Sequence, residues 1–321
     1  MIVTLDTDAD TEAVRRALVG CGLRVRRFDA GDSFPVQYLV EAGSAAISAT
    51  ALRSIDGVAS VATQPSSHPR LDRQPSLVDV GGLAIGPGTD PVLIAGPCSL
   101  ESPEGILGIA GRLAQHGVRL LRGGAYKPRT SPYTFQGHGA QALRWMRDAA
   151  DAHGMRVVTE AIGVEEVAPV AEVADLLQIG SRNMHNPPLL RAAGASGKPI
   201  LLKRGMAATV EEWLLAAEYC LSHGAAGVIF CERGLRGFDP STRNLLDLGS
   251  VALLAHVHRL PVIVDPSHGV GRRDLIAPLG RAAIAAGAAG LMIETHDNPG
   301  RALSDGPQAL PIDEIAEVKP C

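Results

Sequence analysis

Eight short apolar runs recur between Pro91 and Ile293, and this period constrains the fold more than any other feature. The runs are Val92–Ala95, Val118–Leu121, Arg156–Thr159, Asp175–Ile179, Pro199–Leu202, Gly227–Phe230, Pro261–Val264 and Gly290–Ile293. Helical patterns lie between them, as in Ile106–Gln115, Ala142–Ala152, Val210–His223 and Leu275–Ala286. Apolar strands that alternate with helices are typical of a parallel sheet covered on both faces. Eight such units predict an α/β fold, the (β/α)8 (TIM) barrel. The alternative is a doubly wound open sheet, but the glycine-rich turn of that fold is missing after the first run.

The helix ends support the same period. A glycine closes several predicted helices, at Gly117, Gly154, Gly224 and Gly287, where the left-handed conformation of a helix C-terminus favours this residue. After the eighth run little chain is left, and Pro311–Val318 has room for two helical turns at most. We therefore expect the last helix of the barrel to be short.

Residues 1–65 have a different pattern, which predicts a small α+β domain. Its predicted elements are strand Ile2–Leu5, helix Asp10–Cys21, strands Leu23–Phe28 and Val36–Val40, helix Ala45–Ile55 and strand Val58–Ala62. This β-α-β-β-α-β order is that of the ferredoxin-like fold. Residues 66–76 are predicted to be a linker, and residues 77–321 a barrel domain that begins with a short hairpin.

Composition excludes several classes of function. The net charge is −4 and no basic block stands out, so neither nucleic acid nor an anionic membrane is an expected partner. No apolar stretch is long enough for a transmembrane helix, and the N-terminus does not resemble a signal peptide. The five cysteines are scattered and odd in number, which fits reduced thiols and a cytoplasmic location.

Polar or ionisable residues follow all eight apolar runs, where a barrel of this kind carries its active site. Cys98, His268 and Glu294 follow the first, seventh and eighth runs, which are neighbours in a closed barrel. Asp305 offers a fourth donor. One cysteine, one histidine and two carboxylates predict a divalent-metal site, and this mixed set does not select among Mn, Fe, Co and Zn.

A second group of strand-end residues is cationic. Its members are Arg122, Lys127, Arg129, Arg182, Lys203 and Arg233. Three of them belong to the segment Leu121–Ser131, in which two glycines allow close approach of a ligand and a proline stiffens the loop. Six cations around one opening exceed the need of a single phosphate. They predict two phosphorylated substrates or one bisphosphate.

These residues occur in motifs that resemble the type I 3-deoxy-D-arabino-heptulosonate 7-phosphate (DAHP) synthases, over about residues 77 to 310. The motifs are Ile94–Ser99, Leu121–Ser131, Phe135–Gly137, Gln178–Asn183, Leu202–Gly205, Cys231–Gly234, Asp265–His268 and Ala302–Gly306. The first 65 residues resemble the ferredoxin-like regulatory domain that one branch of this family carries.

The resemblance implies an aldol-like condensation of phosphoenolpyruvate with erythrose 4-phosphate, the first step of the shikimate pathway. It implies a divalent metal held by Cys98, His268, Glu294 and Asp305. Phosphoenolpyruvate would bind to Arg122, Lys127, Arg182, Lys203 and Arg233, and the aldose phosphate to Arg129, Thr130 and Ser131. Lys127 is our candidate for the general acid, and Glu160 for the residue that positions the attacking water.

Two other functions are compatible with the barrel. The sister family, 3-deoxy-octulosonate 8-phosphate synthase, uses arabinose 5-phosphate and typically has Lys-Ala-Asn-Arg-Ser-Ser where this chain has Lys127-Pro128-Arg129-Thr130-Ser131. The other alternative is a catalytically silent, regulatory barrel. The resemblance further implies a homotetramer and inhibition by an aromatic amino acid, Tyr or Phe, at the N-terminal domain.

Overall fold

The computed structural model describes residues 1–28, 35–127 and 133–318. The chain forms two compact units, Met1–Ser67 and His68–Cys321. The elements of the first unit are β1 (Ile2–Leu5), α1 (Thr11–Gly20), β2 (Val25–Phe28), β3 (Gln37–Val40), α2 (Ala49–Arg53) and β4 (Val58–Ala62). Its strands form an antiparallel sheet in the order β2-β3-β1-β4.

Local capping sets the helix bounds of this unit. The Asp10 side chain accepts hydrogen bonds from two backbone amides in the first turn of α1, and α1 buries Val14 and Leu18. Helix α2 is shorter than the predicted Ala45–Ile55. It begins at Ala49 because the Ser48 side chain caps it by accepting the amide of Ala51.

The second unit contains the predicted parallel strands. A hairpin, β5 (Val78–Val80) and β6 (Leu83–Ile85), comes first. The barrel strands are β7 (Val92–Gly96), β8 (Leu120–Arg122), β9 (Arg156–Ala161), β10 (Leu176–Ile179), β11 (Pro199–Lys203), β12 (Gly227–Glu232), β13 (Val262–Val264) and β14 (Gly290–His296). The helices are α3 (Pro103–Gln115), α4 (Ala140–Ala152), α5 (Val164–Val173), α6 (Pro187–Ala195), α7 (Val210–Ser222), α8 (Leu248–Ala252), α9 (Pro266–Val270) and α10 (Ile276–Ala285).

The strands close into a barrel. Each strand pairs in parallel with the next along the chain, and β14 pairs in parallel with both β13 and β7. This closure confirms the predicted (β/α)8 barrel and excludes the open sheet. Residues on both strands of the hairpin pack against the apolar residues inside the barrel, among them Ile94, Leu201 and Met292. The hairpin therefore covers the interior at the end away from the strand C-termini.

The predicted helix ends also agree with the structure. Gly117, Gly154, Gly224 and Gly287 all have a positive φ, and each lies two positions after the last residue of a helix. Part of the expected linker packs on the barrel. Leu71 is buried, and the Gln74 side chain donates to the carbonyl of Val228 and accepts from its amide.

The chain after β14 is short, as expected. It forms a two-residue strand, β15 (Leu310–Pro311), parallel to β14, and then a 3-10 helix at Ile312–Val318. Among the helices of the described residues, none has the length and apolar character needed to cross a membrane.

Candidate active site and metal centre

Four potential metal ligands meet at the C-terminal ends of β7, β13 and β14. Cys98 follows β7, His268 lies in α9, Glu294 lies in β14 and Asp305 precedes β15. One donor atom from each of the four lies within 4.8 Å of those of the others. Cys98 Sγ is 3.0 Å from Asp305 Oδ2, and His268 Nε2 is 3.0 Å from Glu294 Oε2. The structure thus brings together the four residues that the sequence singled out.

The chemistry of this cluster fits a divalent cation. Glu294 Oε1 is buried and has no hydrogen-bond partner in the described part of the chain, so a buried carboxylate oxygen is left to bind something else. Asp305 has a left-handed backbone, with φ of 52°, a conformation that costs energy in a residue other than glycine. A soft thiol, an imidazole and two carboxylates form a donor set that zinc, iron, cobalt or manganese accepts.

Asp265, which is not among the site residues predicted from the sequence, contacts His268 on the side of the imidazole that faces away from Glu294. Its fully buried carboxylate lies 2.8 Å from His268 Nδ1 and 2.5 Å from Lys203 Nζ. Although burial opposes ionisation, these two cations hold the pKa of Asp265 well below its usual value. Burial also opposes protonation of His268, but Asp265 raises its pKa to about 10. Asp265 therefore fixes the orientation of the imidazole, with Nε2 toward the cluster.

A cleft of about 340 Å³ opens beside the cluster. Its lining includes the cations Arg122, Lys127, Arg182, Lys203, Arg233 and Arg243. Arg122, Lys203 and Arg233 are 5–6% exposed. Burial of positive charge is costly unless an anionic group lies beside it, and the Asp265 carboxylate does so for Lys203.

Two of these arginines have no hydrogen-bond or ion-pair partner among the described residues. Arg182 lies at the exposed rim, whereas Arg233 is buried and its Nη1 is unsatisfied. Burial lowers the pKa of Arg233, and the like charges of Arg243 and Arg182 lower it further. Arg122 differs, because it donates to the carbonyl of Pro97 at 3.0 Å and lies 3.7 Å from Glu294. Within the ranges that the structure describes, the donors of the Arg182 and Arg233 guanidinium groups are therefore free to bind an anionic group.

Lys127 links the cleft to the metal-ligand cluster. Its Nζ lies 2.8 Å from the carbonyl oxygen of Cys98 and 2.9 Å from the sulfur of the same residue. The three residues predicted to bind the aldose phosphate, Arg129, Thr130 and Ser131, lie outside the described residues.

Glu160 faces the cleft from β9. Gln178, on the neighbouring strand β10, donates a hydrogen bond of 2.7 Å to its carboxylate. Gly180 leaves room for this carboxylate, because a Cβ at that position would collide with Glu160 Oε1. Gln178 belongs to the Gln178–Asn183 motif, but its contact with Glu160 follows only from the pairing of β9 with β10.

At the ends of β11 and β12, the last strand residue and the residue that directly follows it face opposite sides of the barrel wall. Lys203 and Arg233 line the cleft, whereas Arg204 and Glu232 point away from it and form a buried ion pair at 3.2 Å. Arg204 also bonds to Asp247 at 2.8 Å. Burial raises the pKa of Glu232, while the hydrogen bond from the amide of Gly234 and the charge of Arg204 act in the opposite direction. This network holds together the two strands that carry the cleft cations.

Comparison with known proteins agrees with this geometry. The model of the DAHP synthetase I family matches residues 62–321. Phospho-2-dehydro-3-deoxyheptonate aldolase of Thermotoga maritima is 48% identical over 269 residues, which cover 83% of this chain and 79% of that protein. The crystal structure of phospho-2-dehydro-3-deoxyheptonate aldolase (DAHP synthase) from Thermotoga maritima is similar, with a TM-score of 0.77 and 42% identity over 99% of this chain and 94% of that one.

A second group of relatives is more distant. The 2-dehydro-3-deoxyphosphooctonate aldolase of Bordetella bronchiseptica is 34% identical over 263 residues, which cover 74% of this chain and 90% of that protein. The family model covers most of the chain, and the fold and the strand-end residues agree with it. The chain therefore belongs to the DAHP synthetase I family.

Proposed function

We propose that this chain is a DAHP synthase, which condenses phosphoenolpyruvate with erythrose 4-phosphate and releases inorganic phosphate. The observation that carries the proposal is the meeting of a four-donor cluster and a ring of cations in one cleft. Phosphoenolpyruvate and the aldose phosphate both carry phosphate, so two anions must be held close together against their mutual repulsion. Preorganised cations supply that stabilisation without having to reorganise during the reaction.

We assign the metal to Cys98, His268, Glu294 and Asp305. A divalent ion bound there would act as a Lewis acid on the aldehyde oxygen, which makes the aldehyde carbon a better electrophile. The unsatisfied Glu294 Oε1 supports this assignment. The identity of the metal among Mn, Fe, Co and Zn is a matter for metal analysis of the purified protein.

The cations of the cleft have separate tasks in this proposal. Lys203 and Arg233 are buried and hold the phosphate and carboxylate of phosphoenolpyruvate, together with Arg122, Lys127 and Arg182. This clamp points C3 of phosphoenolpyruvate toward the aldehyde carbon. We assign Arg129, Thr130 and Ser131 to the aldose phosphate on the resemblance alone.

Two residues complete the proposed reaction, of which one donates a proton and the other positions a water molecule. Lys127 Nζ lies within 3 Å of a metal ligand, so it can protonate the oxygen that the aldehyde carbonyl becomes. Carbon–carbon bond formation leaves a cationic centre at C2 of the former phosphoenolpyruvate, and water adds there. Glu160, held by Gln178, faces the cleft from β9 and positions this water. The resulting adduct then loses phosphate.

The first unit is proposed to be a ferredoxin-like regulatory domain. Its element order and its strand order, β2-β3-β1-β4, support this assignment. We also propose that an aromatic amino acid, Tyr or Phe, inhibits the enzyme through this unit, that the protein is a homotetramer and that it is cytoplasmic. Inhibition by these amino acids that persists unchanged after deletion of residues 1–65 would contradict the regulatory role.

A coupled assay of phosphate release tests the proposed function. The purified chain is assayed with phosphoenolpyruvate and either erythrose 4-phosphate or arabinose 5-phosphate, with and without a chelator. We expect turnover with erythrose 4-phosphate, loss of turnover with the chelator, and recovery on adding a divalent metal. Glu294→Gln should behave like the chelated protein, whereas the exposed variant Arg272→Met should behave like the wild type. Turnover with arabinose 5-phosphate alone would instead assign the chain to the sister enzyme.

A further inference from the structure

Arg243 reaches the active-site cleft from a position that is not a strand end. It lies between β12 and α8, in a segment whose backbone is firmly attached to the barrel. Its amide donates to the carbonyl of Val270 at 2.9 Å, and the side chain of Asn244 donates to the carbonyl of His268 at 3.1 Å. The segment is therefore anchored to the same short helix, α9, that carries a proposed metal ligand.

Close packing directs the Arg243 side chain toward the metal-ligand cluster. Gly271 has a φ of 66°, and a Cβ on this residue would lie 2.8 Å from Arg243 Cβ. A side chain at position 271 would thus displace Arg243. The guanidinium donates to Gln308 Oε1 at 2.9 Å and lies 3.8 Å from Asp305 Oδ1, too far for a hydrogen bond.

The donors of Arg243 are mostly unused. A guanidinium has five N–H groups, and the described residues give this one a single side-chain acceptor within hydrogen-bond distance. The Arg243 side chain is 41% exposed, whereas the side chains of Lys203 and Arg122 are each 7% exposed. Arg243 therefore lies above the deep cations of the cleft, next to Asp305.

The positive charges around Arg243 favour binding of an anion in this part of the cleft. Arg243 is close enough to Arg233 for its charge to lower the pKa of that residue, and Arg233 has no partner among the described residues. A metal ion at Asp305 would add further positive charge beside the same guanidinium. Like charges this close are stabilised when an anionic group binds between them.

We infer that Arg243 binds the aldose phosphate, the second substrate, and so contributes to the choice of sugar. The inference rests on the proposed function. The deep cations hold phosphoenolpyruvate at the bottom of the cleft, so the second substrate must lie above it, with its aldehyde at the metal ligands. Arg243 is the exposed cation beside Asp305, and its planar fork of donors suits an anionic phosphate.

Steady-state kinetics of Arg243→Met and Arg243→Lys test this inference, with Arg236→Met as the matched control. Arg236 is exposed on the same segment but does not line the cleft. For Arg243→Met we expect the KM for erythrose 4-phosphate to rise about 10- to 100-fold, the effect of losing a charged hydrogen bond. The KM for phosphoenolpyruvate should stay within about twofold. Arg243→Lys keeps the charge, so its KM for erythrose 4-phosphate should lie between those of the wild type and Arg243→Met.

Three results would overturn the inference. A larger rise in the KM for phosphoenolpyruvate would place Arg243 among the ligands of the first substrate. Loss of bound metal from Arg243→Lys would make it a residue that positions Asp305. Unchanged kinetics in both variants would remove it from binding altogether. Because the wild type is assayed in parallel, absence of wild-type turnover with erythrose 4-phosphate would count against the proposed function and not against Arg243 alone.

Discussion

Gly180→Ala is a small substitution that we expect to displace a proposed catalytic group. The backbone of Gly180, with φ of −73° and ψ of 158°, is one that alanine adopts without strain. The new Cβ, however, would collide with Glu160 Oε1, and an ordinary contact needs at least 3.4 Å. The Glu160 carboxylate must therefore move by about 1 Å, a misplacement that can cost about 100-fold in rate. The hydrogen bond from Gln178 to this carboxylate would be lost as well.

The fold should tolerate this change, because the group that moves is the end of a flexible side chain. We expect kcat to fall about 100-fold while the melting temperature and the metal content stay at the wild-type values. Gly108→Ala is the matched control, since a Cβ at Gly108 would meet no atom within 4 Å. Its kcat should equal that of the wild type.

A double variant separates this explanation from a general disturbance of the cleft. If Gly180→Ala acts through Glu160, it should have little further effect in a chain that already carries Glu160→Ala. A kcat of Gly180→Ala within about twofold of the wild type would refute the placement of Glu160 at the reacting centre. Additive losses in the double variant would refute the coupling between the two residues.

Three further predictions concern buried groups. Asp265→Asn should weaken divalent-metal affinity about 10- to 100-fold, because it removes the carboxylate that orients the imidazole of His268, a proposed metal ligand; wild-type affinity in a metal titration would contradict this. Arg204→Met should lower the free energy of unfolding by about 3–5 kcal/mol in a urea titration, because Glu232 loses its buried partner. Adding Glu232→Gln should recover part of that loss, and no recovery would argue against the ion pair. Cys220 and Cys231 should resist alkylation at about pH 8, because burial raises both pKa values to about 12; labelling of either in the folded protein, read by mass spectrometry, would show that it is accessible.

The barrel could be predicted because its strands are buried on both faces and therefore have continuous apolar sequences. Strand bounds shifted by one or two residues in several places. For example, β8 begins at Leu120, two residues after the start of its apolar run, and β9 extends to Ala161, two residues beyond the end of its own run. The polar residues after these runs, including Cys98, His268 and Glu294, could be predicted from the strand period, since the carboxyl ends of parallel strands share one face of a barrel. Asp305 follows no apolar run and was predicted from its residue type and its motif.

The residues that were missed depend on contacts that no sequence period encodes. Arg243 lies in an irregular segment, so counting strands does not lead to it. Gln178 acts through a neighbouring strand, and its partner Glu160 is 18 positions away in the chain. Asp265 directly follows a strand and was therefore visible as a polar strand end. Its role between an imidazole and Lys203 required the closed barrel to be known.

The two strands β11 and β12 also restrict how the length of this chain can vary. At the end of each strand lie two consecutive charged residues, the last residue of the strand and the one after it, of which one faces the cleft and the other faces the helices. Because successive side chains of a strand point to opposite faces, inserting or deleting one residue would exchange the two roles. The carboxylate of Glu232 would then face the substrate anions, while Arg233 would lie among the helices. Sequences that preserve this chemistry can lengthen the connections between strands, but they must keep the residue spacing within β11 and β12.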